Sequence, residues 1–333
     1  MARIVENFES LPIAARGTIW ALIASAFFAG MAVVIRLLSD EMHPLEMAFF
    51  RSFGSFLCML PWILTAGIGA LRTENQRLYI SRSVIGFLAN ICLFAGIAWL
   101  PLNDSIALSF TAPLFAAAAA AILLGEVIGP RRLLAALTGF LGALLILRPG
   151  FETLSLAQGL ILAGAAFTGL NAAVIKQLTV RKESPTVIVV YMALYTMPLS
   201  LLAAIPVWQW PPLSSLPWLA VLAVCATLGH LALTRAFACM DASAVTALDF
   251  VRLPMVALIA WLAFGEEPDG WTWFGAIVIV GASVYVARRE RAALTPAEPP
   301  VTGIAVATSG EGGTVAAPPV WPERAPAAVR KPE

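Results

Sequence analysis

Asp249 and Arg252 stand three residues apart in Leu248-Asp249-Phe250-Val251-Arg252-Leu253-Pro254, within an apolar run from about Ser243 to Phe264. That run is long enough to cross a bilayer. A charged group at such depth costs about 2.5–3.5 kcal/mol on insertion scales and is tolerated when paired or facing a watery cavity. Counted from the start of the run, Asp249 lies about 9 Å in and Arg252 about 14 Å, near the middle of a ~30 Å core. Their spacing puts both on neighbouring positions of one helix surface. There the arginine can meet an anionic or carbonyl group and the aspartate a cation or proton. A self-neutralising pair that only orients its helix fits the same spacing.

Other polar groups sit at spanning depth. His230 is about 9 Å from the same side, level with Asp249, either as a packed neutral imidazole or as a proton-relay partner. Arg51 lies about 9 Å below the opposite surface, within reach of snorkelling. Arg36 is near the end of its run, and Glu46 is an interfacial partner for either arginine. Asn90, Ser109, Thr111, Thr168 and Asn171 are binding candidates, although such groups often only glue helices together for about 0.6 kcal/mol apiece. Tyr191 and Trp20 can stack on a flat substrate or simply pack. Pro113 and Pro254 each remove a backbone hydrogen bond and predict a kink, which makes them hinge candidates. Gly139, Gly142, Gly275 and Gly281 suit close helix packing.

The sequence has no Walker lysine, zinc-ligand set or nucleophile elbow, so no catalytic residue, metal or cofactor is expected. Cys58, Cys92, Cys225 and Cys239 lie in or beside apolar runs without ligand spacing and read as packing thiols.

The elements that position these residues follow from composition. Of 333 residues, 60% are hydrophobic and only 12% charged, with a mean hydropathy of +0.85. A soluble domain of that length cannot hide so much apolar surface, so the expected class is an all-α polytopic membrane protein. A net charge of +1 and no basic stripe argue against nucleic acid. Ten spanning runs are expected, roughly Gly17–Leu38, Leu45–Ile68, Ser83–Leu100, Asn103–Leu124, Leu133–Leu147, Ala157–Leu178, Pro185–Val207, Leu216–Ala236, Ser243–Phe264 and Trp271–Ala287. With the N-terminus inside, Arg72, Arg77, Arg82, Arg131, Arg132, Arg181, Lys182, Arg288 and Arg289 fall on the cytoplasmic side, and Arg148 alone on the outer loops. Both termini are then cytoplasmic.

The chain also repeats itself. Ala107-Leu108-Ser109-Phe110 aligns with Ala247-Leu248-Asp249-Phe250, and without a gap Gly125-Glu126 meets Gly265-Glu266. The alignment gives Ser109 and Ala112 where the second copy has Asp249 and Arg252. Each copy holds five runs, an odd number, so the copies should be inverted in the membrane. The expected divisions are 1–150 and 151–291 for the two halves, with 292–333 a disordered, Ala- and Pro-rich cytoplasmic tail.

Ten runs in two inverted halves, each with Gly-Glu after its fourth run, resemble the drug/metabolite transporter superfamily of EamA type. Phe49-Phe50-Arg51, Pro113, Gly229-His230, Leu233-Thr234-Arg235-Ala236-Phe237 and Asp249 to Pro254 look like one bacterial branch of it. The resemblance covers about residues 17–290. It implies a secondary carrier in the bacterial inner membrane with a central cavity lined by runs 1, 3, 4, 6, 8 and 9. Its partners would be a small-molecule substrate and the lipid bilayer, with a homodimer left open. The expectation is transport of a small metabolite or drug-like compound by alternating access, with proton coupling through Asp249 as one alternative and facilitated exchange as the other. An intramembrane enzyme lacks a nucleophile beside Asp249 and His230. A sensor or channel subunit lacks an extramembrane domain or a continuous polar helix face.

Overall fold

The computed structural model of the protein describes residues 8, 10–39, 41–97, 108–126, 129–147, 156–265 and 270–294, all within one unit running from Met1 to Thr295. Of the expected tail, 292–294 continue the last helix and 295–333 lie outside the described residues, as do the Pro101-Leu102 connection, Arg148 and the segment Glu266 to Asp269.

Every regular element among the described residues is helical: α1 (Ile13–Leu38), α2 (Pro44–Ala66), α3 (Gln76–Ile97), α4 (Ala112–Leu124), α5 (Pro130–Leu147), α6 (Leu156–Val180), α7 (Pro185–Ala204), α8 (Leu216–Cys239), α9 (Ala242–Leu248), α10 (Arg252–Phe264) and α11 (Gly270–Leu294), with short 3-10 turns between some of them. Among the described residues, six stretches are long and apolar enough to cross a bilayer: Ile13–Leu38, Pro44–Ala66, Leu156–Val180, Pro185–Val207, Leu213–Cys239 and Ala242–Ile259. Ala112–Leu124 and Gly270–Tyr285 are shorter apolar helices. The protein is an all-helical polytopic membrane protein.

Local chemistry sets the helix ends. α2 and α7 begin with Pro44 and Pro185, whose missing N–H falls where no intrahelical partner exists. At α2, Leu45 N donates to His43 Nδ1 and His43 N donates back to Glu46 Oε2, both at 3.2 Å, a reciprocal cap. α4 and α10 both end on a glycine in the left-handed region, Gly125 at φ 67° and Gly265 at φ 68°. The glycine of each Gly-Glu pair is therefore a helix stop that a side chain would strain.

Three expectations need correction. α3 starts at Gln76 rather than Ser83, so Arg77 and Arg82 are helical, and Arg82 is buried at only 2% exposed. Ending a run at its first charges misplaced that boundary, because a polar interior can accommodate an arginine. The ninth run is not one helix: α9 stops at Leu248, a 3-10 turn takes Asp249–Val251, and α10 restarts at Arg252. The fourth run breaks at the equivalent place, with Leu108 and Ser109 helical, Phe110 and Thr111 in a turn, and α4 starting at Ala112. Pro113 and Pro254 thus lie in the first turn of restarted helices, where a missing N–H costs little, rather than within continuous ones.

Packing follows a regular scheme. α1 packs on α8 as α3 packs on α6; α4 packs on α6 as α9 and α10 pack on α1; α2 packs on α8 as α3 packs on α7. α2–α7 and α5–α11 complete the set. Exchanging each of the first five runs with its counterpart in the second five maps these pairs onto one another. At the α5–α11 crossing, Gly142 lies against Ile279 and the Gly275 carbonyl, and Gly139 lies against Phe250, while Gly281 faces open space and makes no close contact.

Polar groups tie the helices together at the end of the bundle where α1 begins, across the halves at Glu126 and Glu183 and within the second half at Lys176. Glu126 Oε1 accepts from Ala242 N at 3.0 Å and Oε2 from Ser243 Oγ at 3.2 Å, so a carboxylate sits at the positive end of α9. Lys176 Nζ donates to the Phe237 and Met240 carbonyls at 2.9 and 2.6 Å, at the opposite, negative end of α8. Glu183, in the α6–α7 connection, accepts from Thr73 Oγ1 at 2.5 Å, Asn75 Nδ2 at 2.7 Å and Tyr79 OH at 2.9 Å.

Partial burial pushes the Glu183 carboxyl up, but these three donors outweigh it and hold it below its ordinary value of 4.5. Its stabilisation is therefore fully present above that unfolded value and lost as pH falls through the lower folded one. Glu183→Ala strands three donors and is expected to cost about 1–3 kcal/mol, read as a lower Tm of the purified protein near pH 7. The wild-type advantage over the variant should shrink as pH is taken below 4.5.

Candidate functional site

A cavity of about 260 Å³ opens inside the bundle. Phe28 and Met31 come from α1, Arg51 from α2, Arg82, Ser83 and Asn90 from α3, and Ala112, Pro113 and Ala116 from α4. From the other half come Thr168 and Asn171 of α6, Met192 and Thr196 of α7, His230 and Phe237 of α8, then Thr246, Asp249 and Arg252. Apolar walls with a few converging polar groups are the usual make-up of a small-molecule site.

Asp249 Oδ2 meets Arg252 Nη2 at 3.0 Å, and both side chains keep about three-tenths of their surface open, 28% and 31%. The pair spans the break in the ninth run. Asp249 starts the 3-10 turn and Arg252 starts α10, so both project where the helix has no continuous wall. Ser25 Oγ approaches Asp249 Oδ1 at 3.5 Å. The Arg252 guanidinium also lies over two rings, Phe110 at 5.4 Å and Phe28 at 5.9 Å. These contacts fix its plane while leaving its edges for hydrogen bonds.

Phe28 links this pair to the histidine. Its ring meets His230 edge-on at 5.1 Å, and Gly229 makes room for it, since a Cβ there would come within 2.8 Å of the ring. His230 Nδ1 is 2.8 Å from the Ala226 carbonyl, so this nitrogen carries the proton and Nε2 is left as the acceptor.

Asn90, Asn171, Arg51 and Thr168 also line the cavity. Ser109 and Thr111 are not among its lining residues: Ser109 is helical just before the break, and Thr111, in the turn, donates Oγ1 to Leu108 O at 2.7 Å. Tyr191 lies apart as well. Its hydroxyl donates to Leu71 O at 2.6 Å and its ring packs on Tyr79 and Tyr195, so it is a packing residue near one end. Trp20 stacks under Arg235 at 4.7 Å instead of facing the cavity. Glu46 takes two backbone N–H groups, those of His43 and Gln209.

Sequence reasoning missed Arg82, Ser83, Thr196, Thr246, Phe28 and the two methionines. One signal was available: Arg82, Ser83 and Gly86 recur at helical spacing on the same face as Asn90.

A family model described as the EamA-like transporter family matches the chain twice, over residues 15–148 and 155–288. A riboflavin transporter of Rhizobium johnstonii is 32% identical over 276 residues, covering 82% of this chain and 91% of the relative. An S-adenosylmethionine uptake transporter of Rickettsia bellii is 29% identical over 277 residues, covering 83% of this chain and 94% of the relative. A solved crystal structure superposes with a TM-score of 0.73 at 18% identity, covering 82% of this chain and 98% of its own, which speaks to the fold.

Proposed function

The chain belongs to the EamA-like transporter family, a membrane transporter and not an enzyme, and from this premise we propose that it is a secondary carrier working by alternating access about the central cavity. The observation that carries the reading is the origin of the lining: it is drawn from both matched segments, with the Asp249–Arg252 pair at a helix break. Broken helices that expose polar groups near midplane are how carriers of this general design build substrate sites. The twin breaks before Ala112 and Arg252 would let each half bend at Pro113 and Pro254. Two inverted five-helix halves, about 1–150 and 151–291, agree with the exchange of packing pairs. The distribution of basic residues favours both termini on the cytoplasmic side, and the relatives compared above are bacterial, which supports a bacterial cytoplasmic membrane.

Coupling follows from the pair. An anionic or strongly accepting substrate group that takes over Arg252 leaves Asp249 without its counter-charge, and a proton then neutralises it. Substrate and proton would thus occupy the cavity together.

The test is flux into proteoliposomes over a metabolite panel headed by riboflavin and S-adenosylmethionine, the compounds named for the relatives, with and without protonophore. At least one metabolite should accumulate, and protonophore should reduce accumulation toward equilibrium. Accumulation indifferent to protonophore would remove proton coupling and leave exchange.

A further inference from the structure

Arg82 has a property that the coupling pair lacks. It is 2% exposed, and its Nε and Nη2 have no hydrogen-bond partner among the described residues. These two N–H groups point the same way along one edge of the guanidinium, the edge that grips two oxygens of a carboxylate or phosphate in parallel. A buried cation left this way is costly unless something answers it. Two neighbours on the cavity wall are also unsatisfied, Ser83 Oγ and Asn171 Oδ1. Gly86, one turn beyond Arg82, lets Asn171 lie against α3: a Cβ there would be 3.2 Å from Asn171 Nδ2.

The charge balance points the same way. Among the described residues, three arginines line the cavity (Arg51, Arg82 and Arg252) against one carboxylate, Asp249, which Arg252 already holds at 3.0 Å. No carboxylate among the described residues pairs with Arg82 or Arg51. The cavity is therefore built with an excess of positive charge, and the missing negative charge has to arrive with what it carries.

Resting on the carrier reading above, we propose that Arg82, with Ser83 and Asn171, forms an oxyanion subsite, and that the substrate is an organic anion whose carboxylate or phosphate docks on the Nε–Nη2 edge. The Ser83 hydroxyl, with no partner to give up, can donate to the bound oxyanion, while Asn171 Oδ1, an acceptor only, can take a hydroxyl or N–H group elsewhere on the substrate. Met31, Met192 and Phe237 provide the apolar wall for the remainder of the molecule.

The experiment uses the full chain purified in detergent and compares probes that differ only in charge: benzoate with benzamide, and indole-3-acetate with indole-3-acetamide. Ligand-induced stabilisation should favour the acids by at least about tenfold in apparent affinity, the factor lost when a bidentate pairing of about 1.4 kcal/mol is removed. Arg82→Gln should erase that preference. Arg82→Lys keeps the charge without the fork and should retain only part of it. Equal response to acid and amide in the wild-type protein, or no response to either acid, overturns the subsite even if a variant fails to fold. The carrier reading is judged separately by flux. Accumulation of an uncharged metabolite such as riboflavin, unaffected in Arg82→Gln, would refute the anion subsite and leave transport standing, whereas the absence of any flux would refute transport.

Discussion

Asp249→Asn is expected to abolish protonophore-sensitive accumulation, lowering the steady-state substrate ratio by at least about tenfold, while the protein still folds. The asparagine keeps the shape and one acceptor oxygen facing Arg252, but it has no charge for a proton to cancel. The magnitudes separate the two effects. A fully buried ion pair broken on one side costs about 3–5 kcal/mol, but both side chains here retain some three-tenths of their surface, so the stability loss should be nearer about 1 kcal/mol. Transport should fall much further than Tm. Arg252→Ala should behave differently, because it removes the ring contacts with Phe28 and Phe110 as well as the pairing. Its loss should appear as weaker apparent affinity, and the double variant should cost less than the sum of the two singles. Equal protonophore sensitivity in wild type and Asp249→Asn would move the aspartate from coupling to packing.

Gly169→Ala should have the largest effect on the fold. A Cβ at this position would lie 2.5 Å from Ala116 N and 2.7 Å from the Phe115 carbonyl carbon, and backbone cannot swing away as a side-chain tip can. α4 and α6 would have to separate, with an expected loss of about 1–3 kcal/mol for alanine and misfolding for leucine. The control is Gly281→Ala, where nothing lies within 4 Å. Replacing that helical glycine should be neutral or gain up to about 1 kcal/mol through helix propensity. Tm of the purified proteins measures both, and similar losses at the two positions would contradict the close α4–α6 approach. Because Gly169 and Ala116 also line the cavity, the alanine variant should weaken substrate affinity along with stability.

Much of the architecture was legible because bilayer-spanning helices impose their length and apolarity on the sequence, and because short connections leave few ways to arrange them. The internal repeat told more than the hydropathy did. It set Ser109 opposite Asp249, and in the structure the helix breaks at both places. The geometry of those breaks was not legible: a proline in an apolar run predicts a bend, but not that the helix will stop and restart so that the proline falls in a first turn. Within the site, residues whose charge was anomalous for their depth, Asp249, Arg252 and His230, could be picked from sequence. Arg82 could not, since an arginine near the end of a run reads as an anchor until packing shows that α3 extends past it and buries it. Tyr191 and Thr111 failed for the opposite reason. Residue type suggested binding, but nearby backbone carbonyls, Leu71 O and Leu108 O, take their hydroxyls.

The account rests on the cavity being the path of transport, and a steric block tests this most directly. Ala112 lines the cavity at the start of α4 and is only partly buried, so Ala112→Trp places a large ring in a space of about 260 Å³. Counterflow in proteoliposomes, measured with whichever panel metabolite the wild type exchanges, should fall to the level of protein-free vesicles, with Tm changed little. Wild-type counterflow through a folded Ala112→Trp protein would contradict the account, because the substrate would then be crossing somewhere else.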